Sequence, residues 1–205
     1  MKLLVPTETE ARILKELGLE PEIIGMGPVE AALGSYEILA QKMEGPVILA
    51  GIGGAYPGSG LNIGDLALAT FEYFGDLGVC HYLIQKDFAQ TLPALKECSL
   101  EHPLVEKAAI LLEEEGFAVE CGPFVTVCCA TRDPQRGEIL ALRHQGALIE
   151  NMEGFAVALA ARRFSLPLIE LRAVSNLISE PDLAWEIEGA LWKLGRALKC
   201  LIQKL

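Results

Sequence analysis

GALIENMEGFAVALAARRFSLPLIELRAVSN, residues 146–176, is the stretch whose reading decides the fold. GALIE is a short apolar run with the length of a strand, NMEGFAVALAARRF carries apolar residues at helical spacing, and LPLIELRAVS is apolar almost throughout. Strand, helix and strand in that order are one turn of an alternation that, repeated along the chain, implies a largely parallel sheet with helices on both sides. This order sets Asn151, Met152 and Glu153 at the lip of the first strand, and Ser175 and Asn176 at the end of the second.

The same alternation extends in both directions. KLLVP predicts a strand and ETEARILKELG a helix stopped by Gly18; GPVEAALGSYEILAQKM predicts a helix with Pro28 in its first turn, and PVILA a buried strand. GIGGAYPGSGLNIG, residues 51–64, reads as a glycine loop leaving that strand. DLALATF is a further strand, 72–100 is the least regular part, and HPLVEKAAILLEEEG is helical. FAVECGPFVTVCCAT supplies one long or two short strands, PQRGEILALRH a helix, and the tail from Asp182 a long helix with Leu191, Leu194, Leu198 and Leu201 aligned. The expectation is an α/β protein with a largely parallel sheet between helices, in one domain spanning 1–205.

Composition narrows the function. The net charge of −11 and pI near 4.8 lack the basic surface that nucleic acid or an anionic membrane requires, so neither is expected as a partner. A mean hydropathy of +0.33 suits a sheet covered on both faces. The six cysteines show no zinc-type spacing, and His81, His102 and His144 lie too far apart for a local metal motif. No metal or cofactor is expected. KLLVP is too short for a signal sequence and no run is long enough for a membrane span, which places the chain in the cytoplasm as an expectation.

Ligands of such sheets bind beyond the carboxyl ends of the strands. Glu8, Glu10, the glycine loop, Thr126, NMEG and VSN all fall at predicted strand ends. GIGG fails the dinucleotide fingerprint because Tyr56 stands where its third glycine belongs, no GK[ST] follows, and no G-x-S-x-G occurs. The chemistry must come from carboxylates and amides. The plain structural readings are an acid in the first turn of a helix for Glu10 and Glu153, and a capping amide for Asn176.

VPTETEARIL, GIGGAYPGSGLNIGD, IENMEGFAVA and LPLIELRAVSN, taken in order, resemble the purine nucleoside phosphorylase and methylthioadenosine nucleosidase superfamily, and within it the futalosine hydrolases. The resemblance implies a three-layer α/β/α sandwich around a mixed, partly barrel-like sheet, a site that cleaves the N-glycosidic bond of a purine nucleoside, and a homo-oligomer, at least a dimer. It puts Glu10 where water is activated, Glu153 on the ribose hydroxyls, Met152 along the sugar, and Asn176 where adenine-specific relatives carry an aspartate. Gly53, Gly54, Thr126, Ala130, Thr131, Asn151 and Ser175 complete the expected substrate contacts.

Two departures refine this. An amide at 176 can accept from a purine N7–H and donate to a 6-oxo group, which favours hypoxanthine or guanine over adenine. Asn151 replaces a second acid common in the nucleosidases. Phosphorylases of the superfamily carry a GDPxR-like N-terminal loop for phosphate, whereas VPTETEAR offers Glu8 and Glu10, with Arg12 expected at the surface; carboxylates there suit water. The implied reaction is hydrolysis of futalosine to hypoxanthine and dehypoxanthinyl futalosine on a route to menaquinone, with Arg132 or His81 as candidates to meet the substrate's distant carboxylate. The alternatives are an inosine or methylthioinosine hydrolase or phosphorylase, a methylthioadenosine or adenosylhomocysteine nucleosidase, and a catalytically silent nucleoside-binding protein.

Overall fold

The computed structural model describes residues 1–205 apart from 42–44, 82, 83, 87 and 89–92, with the side chains of 80, 81, 84 and 85 also outside the description. The order is β1 (Lys2–Val5), α1 (Glu8–Glu16), β2 (Pro21–Ile23), α2 (Gly27–Leu39), β3 (Val47–Ala55), β4 (Leu66–Phe74), β5 (Val79–His81), β6 (Ile84–Lys86) and β7 (Glu97–Ser99). Then come α3 (Pro103–Glu114), β8 (Val119–Thr126), α4 (Pro134–Arg143), β9 (Ile149–Asn151), α5 (Gly154–Arg163), β10 (Leu168–Leu177) and α6 (Ile187–Lys204). The expected end of α2 at Lys42 and Met43 lies outside the described residues. The expected tail helix begins at Ile187, five residues after Asp182, and strand β2 had no counterpart in the sequence reading.

Five strands close on themselves. β3 pairs with β10, β10 with β4, β4 with β8, β8 with β9 and β9 again with β3, while β1 and β2 extend from β3 and β7 from β4. Parallel and antiparallel ladders are mixed, as the barrel-like expectation required, and this corrects the parallel reading of 146–176: β9 runs antiparallel to β3 and hence to β10, because closing the barrel reverses β4, β8 and β9 against β3 and β10. Alternation along the strands then sorts the core into two layers. Leu3, Val5, Ile48 and Ala50 face α1, α3 and α6; Leu4, Val47 and Leu49 face α2 and α5. Leu191, Leu194, Leu198 and Leu201 of α6 are all buried, each contributing roughly 1.5–3 kcal/mol, which anchors a helix whose first turn has no side-chain cap.

β3 has an uneven neighbour on one edge. β1 covers Val47–Leu49, β9 covers Gly54 and Ala55, and the edge between them is open. The glycine run 51–54, expected to be a loop, is therefore strand; the turn comes later, at Gly58 and Gly60, whose φ values are +81° and +78°. Strand glycine leaves room for close approach by other groups, and here three side chains use it. A Cβ on Gly51 would stand 2.6 Å from Arg172 Nη1 and 2.8 Å from Glu10 Oε1, and one on Gly54 would stand 3.0 Å from Asn176 Nδ2.

Helix α2 is pressed onto the chain after β2, because a Cβ on Gly34 would collide with the backbone carbonyl of Ile24. Gly34→Ala is expected to lower stability by ~1–3 kcal/mol, whereas Gly189→Ala, at an exposed position of α6 with nothing nearby, should raise it by up to ~1 kcal/mol. Urea denaturation of the two variants checks this, and equal shifts would contradict the close α2 contact.

Candidate active site

A cavity of about 270 Å³ opens at the gap in the β3 edge, at the carboxyl ends of β1, β3 and β10. Each functional side chain reaches it by a different local device. Glu10 is the third residue of α1 and closes a capping box: Thr7 N–H and Oγ1 donate to its Oε2 at 2.9 and 2.7 Å, and Glu10 N–H donates back to Thr7 Oγ1. Its Oε1 accepts from Ile52 N–H at 3.3 Å, inside the open stretch of β3. The structural reading of Glu10 and its place in the cavity thus hold together.

Glu153 precedes α5 yet does not cap it. Asn151 Oδ1 accepts from Glu153 N–H and Gly154 N–H at 3.0 and 2.7 Å, and Thr126 Oγ1 accepts from Phe155 N–H at 2.8 Å. The Glu153 carboxylate is left to point elsewhere. Its Oε1 accepts from Gly27 N–H at 3.0 Å, at the start of α2, and Oε2 faces both Arg172 Nη atoms at 3.4 Å. Gly27 holds a φ of +80°, which lets its amide turn inward.

Arg172 is 1% exposed and gathers the acids. Its Nε donates to Glu170 Oε1 at 2.9 Å and its Nη1 to Ile52 O at 3.2 Å. Burial opposes its charge, but Glu170, Glu153 and Glu10 outweigh burial and hold it firmly protonated. Burial raises the Glu10 carboxyl above its ordinary value, against the lowering effects of Thr7 and Arg172. A base raised in this way is well suited to take a proton near neutral pH.

The opposite wall carries Asn176. A register shift between Val174 and Asn176 leaves Ser175 unpaired and sets Asn176 opposite Gly54, whose other neighbour across the sheet is Glu150. Ser175 Oγ lies 2.9 Å from Asn176 Oδ1, so it can fix the amide with Nδ2 free to donate. Glu150 accepts from Thr131 N–H and Oγ1 at 2.7 and 2.6 Å and from the Tyr56 hydroxyl at 3.0 Å. Arg136 binds Thr131 Oγ1 and pairs with Asp76 at 2.6 Å, which pins the segment that brings Ala130 and Thr131 to the cavity.

The cavity thus brings together Glu10, Gly53, Gly54, Ala130, Thr131, Asn151, Met152, Glu153, Ser175 and Asn176. Thr126 is not among them: it is fully buried behind the wall, where its hydroxyl meets Glu72 Oε2 at 2.7 Å, and it supports Asn151 and α5. Asn151 lines the cavity, but its amide is spent on Glu72 and the helix end. Glu8 is exposed and turned away, which corrects its expected partnership with Glu10. Arg132 faces Asp182 at 3.5 Å on the surface, Arg12 pairs with Glu16, and the His81 side chain lies outside the described residues. Glu72, Glu150, Glu170 and Arg172 carried no role in the sequence reading. Glu170 and Arg172, two apart in an apolar strand, were its one available signal for a buried ion pair.

Comparison with known proteins gives the family and the fold. The phosphorylase superfamily profile matches residues 21–203. The futalosine hydrolase of Acidothermus cellulolyticus is 34% identical over 87% of this chain and 73% of its own, and that of Thermus thermophilus is 31% identical over 98% and 94%. A Helicobacter pylori methylthioadenosine nucleosidase mutant, crystallised with 5′-methylthioadenosine in its active site, superposes with a TM-score of 0.86 at 19% identity, over 100% of this chain and 98% of that one, which establishes the common fold. The chain belongs to the phosphorylase superfamily, and within it to the futalosine hydrolase family.

Glu10, Glu72, Glu150 and Glu170 are all raised above the ordinary carboxyl value of 4.5, burial being the largest cause in each. A raised carboxyl binds its proton more tightly folded than unfolded, so its stabilising effect is complete below the ordinary value and is lost as pH climbs through the native one. Denaturation midpoints should therefore rise as pH is lowered from neutral to about 5. A steady fall over that interval would mean that the buried carboxyls are ionised in the folded chain.

Proposed function

We propose that the protein hydrolyses the N-glycosidic bond of futalosine, releasing hypoxanthine and dehypoxanthinyl futalosine, as one domain over 1–205. The observation that carries the reading is the convergence of Glu10, Glu153 and Asn176 on one cavity whose lining cation, Arg172, is already engaged by carboxylates. Cleavage builds positive charge on the ribose and negative charge on the purine. Glu153 accepts from the ribose hydroxyls and favours the cationic sugar. Water bonds to C1′ and gives its proton to Glu10. Asn176 Oδ1 accepts from N7–H of the departing base while Nδ2 donates to O6. The N7 proton comes from solvent, because an amide has none to give.

Hydrolysis is favoured over phosphorolysis by charge. Glu10, Glu150 and Glu153 line the cavity against one arginine, and no lining cation is left for phosphate among the described residues. Futalosine is favoured over other 6-oxopurine nucleosides by the relatives' names and over methylthioadenosine by Asn176. The reading extends to a cytoplasmic step of menaquinone formation by a homo-oligomer. Met26, Val29, Leu33 and Tyr36 form an exposed apolar stripe on α2, and Met26 also lines the cavity, so self-association through α2 would cover the stripe beside the site.

The test is chromatography of futalosine, inosine, methylthioadenosine and adenosylhomocysteine incubated with the protein, with and without phosphate. Hypoxanthine should appear from futalosine without phosphate; a sugar phosphate as product would overturn the hydrolase assignment. Glu10→Gln should cut the rate by roughly 10²–10⁴ with the fold intact, and a full rate would remove Glu10 from the chemistry. Asn176→Asp should weaken 6-oxopurine cleavage, and an unchanged base preference would refute the reading of the amide.

A further inference from the structure

Beneath the cavity lie two further carboxyls that the proposed chemistry does not touch. Glu72 of β4 and Glu170 of β10 are fully buried, and both press against Gly154 of NMEG: a Cβ there would overlap the Glu72 carboxyl and stand 2.7 Å from Glu170 Oε1. The polar groups around Glu72 are Asn151 Nδ2 from β9, donating at 2.6 Å, Thr126 Oγ1 from β8 at 2.7 Å, and Glu170 and Arg172 from β10. Glu170 accepts from Arg172 Nε with Oε1, but its buried Oε2 accepts from no ordinary donor among the described residues.

Charge counting makes this pair informative. Glu10, Glu72, Glu153 and Glu170 are four buried carboxyls around one guanidinium. Ionising all four would leave three uncompensated charges in the interior, each costing several kcal/mol. Glu153 and Glu170 contact the guanidinium, and Glu10 accepts from two backbone N–H groups and the Thr7 hydroxyl; Glu72 instead faces a second carboxyl with no charged nitrogen in contact, so it is the acid that keeps a proton. A protonated Glu72 also supplies a donor to the Glu170 carboxyl beside it, whose Oε2 has no other partner among the described residues. Like charges at short range share protons in this way.

We infer that Glu72 and Glu170 form a one-proton carboxyl pair that positions the site: neutral Glu72 holds Asn151 and donates to Glu170, and anionic Glu170 holds Arg172 between Glu153 and Glu10. The pair acts through Arg172, whose charge helps set the proton affinity of Glu10 alongside Glu153, the Thr7 hydroxyl and the Ile52 N–H. Removing the Glu170 charge leaves Arg172 less neutralised, and a stronger positive field lowers the proton affinity of Glu10. Removing Glu72 ionisability changes little, because a neutral amide can stand in for a protonated acid: its oxygen accepts from Asn151, its NH₂ donates to Glu170, and the Thr126 hydroxyl turns its proton to Asn151 Oδ1 at 3.1 Å.

The inference rests on Glu10 as the base, and the experiment separates the two. Infrared spectroscopy of the ligand-free protein should show a protonated carboxylic acid band at neutral pH that disappears in Glu72→Gln; no such band, or a band untouched by this variant, overturns the shared proton whatever the activity. On whichever substrate the wild type cleaves, Glu72→Gln should keep kcat within about threefold and leave the acid limb of its pH profile in place. Glu170→Gln should lose roughly tenfold or more in kcat, with KM little changed, and shift that limb to lower pH. Equal pH profiles in both variants would make the pair merely structural and refute the positioning role. A wild type that cleaves none of the nucleosides would count against the proposed function and leave the infrared result standing on its own.

Discussion

One buried guanidinium organises the molecule. Arg172 meets Glu170 on its own strand, Glu153 at the head of α5 and the Ile52 carbonyl in β3, beside Glu10 from α1. Four separate elements are thereby tied to one charge. Several features that look unrelated follow from accommodating it. Gly51 must lack a side chain so that Arg172 and Glu10 can cross β3, and the β3 edge must stay open there so that its amide and carbonyl can serve these groups. A buried ion cluster of this kind is weak evidence for stability, because desolvation offsets much of its Coulomb gain. Its conspicuous product is geometry: it fixes two carboxylates at one end of a barrel.

That geometry also separates water from phosphate as the second reactant within a superfamily named for phosphorolysis. A phosphate dianion entering this cavity would meet Glu153 and Glu10 at short range, and two like charges 4 Å apart cost about 4 kcal/mol even at an effective dielectric of 20. A phosphorylase needs cations free to offset this. Here the guanidinium is already committed, and Arg12 and Arg132 are turned to the surface. A neutral nucleophile enters without that penalty.

Much of this arrangement was legible before any coordinates. Strand–helix alternation through 146–176 showed the α/β class and set Glu153 and Asn176 just past strands; β9 runs against β3 and β10, so Glu153 reaches the cavity because β9 ends beside the open stretch of β3 and not because all the strands share one direction. The glycine run misled, since glycine ordinarily ends strands; only the long-range crossing of Arg172, Glu10 and Asn176 over β3 explains why it continues one here. Glu8 and Glu10 are two apart and looked equivalent, yet helical geometry turns one to solvent while the capping box turns the other inward. Glu72 was hidden in what read as the start of an irregular span, and no local pattern distinguishes an acid buried against another strand from one at the surface.

Asn151 and Thr126 show how polar side chains can release a neighbouring carboxylate from capping its own helix. The first amides of α5 need acceptors, and the nearest acid, Glu153, could supply them by capping its own helix. A carboxylate so used would be turned from the cavity toward the helix end. Asn151 Oδ1 and Thr126 Oγ1 take those amides instead, with uncharged oxygens, and Asn151 is itself held by Glu72. The Glu153 carboxylate is therefore left to Arg172, to the α2 amide of Gly27 and to the cavity. An acid at 151 would have capped the same amides but added another negative charge beside Glu72 and Glu170, where the single guanidinium is already shared. The amide at this position is the choice that the buried charge balance of this chain allows.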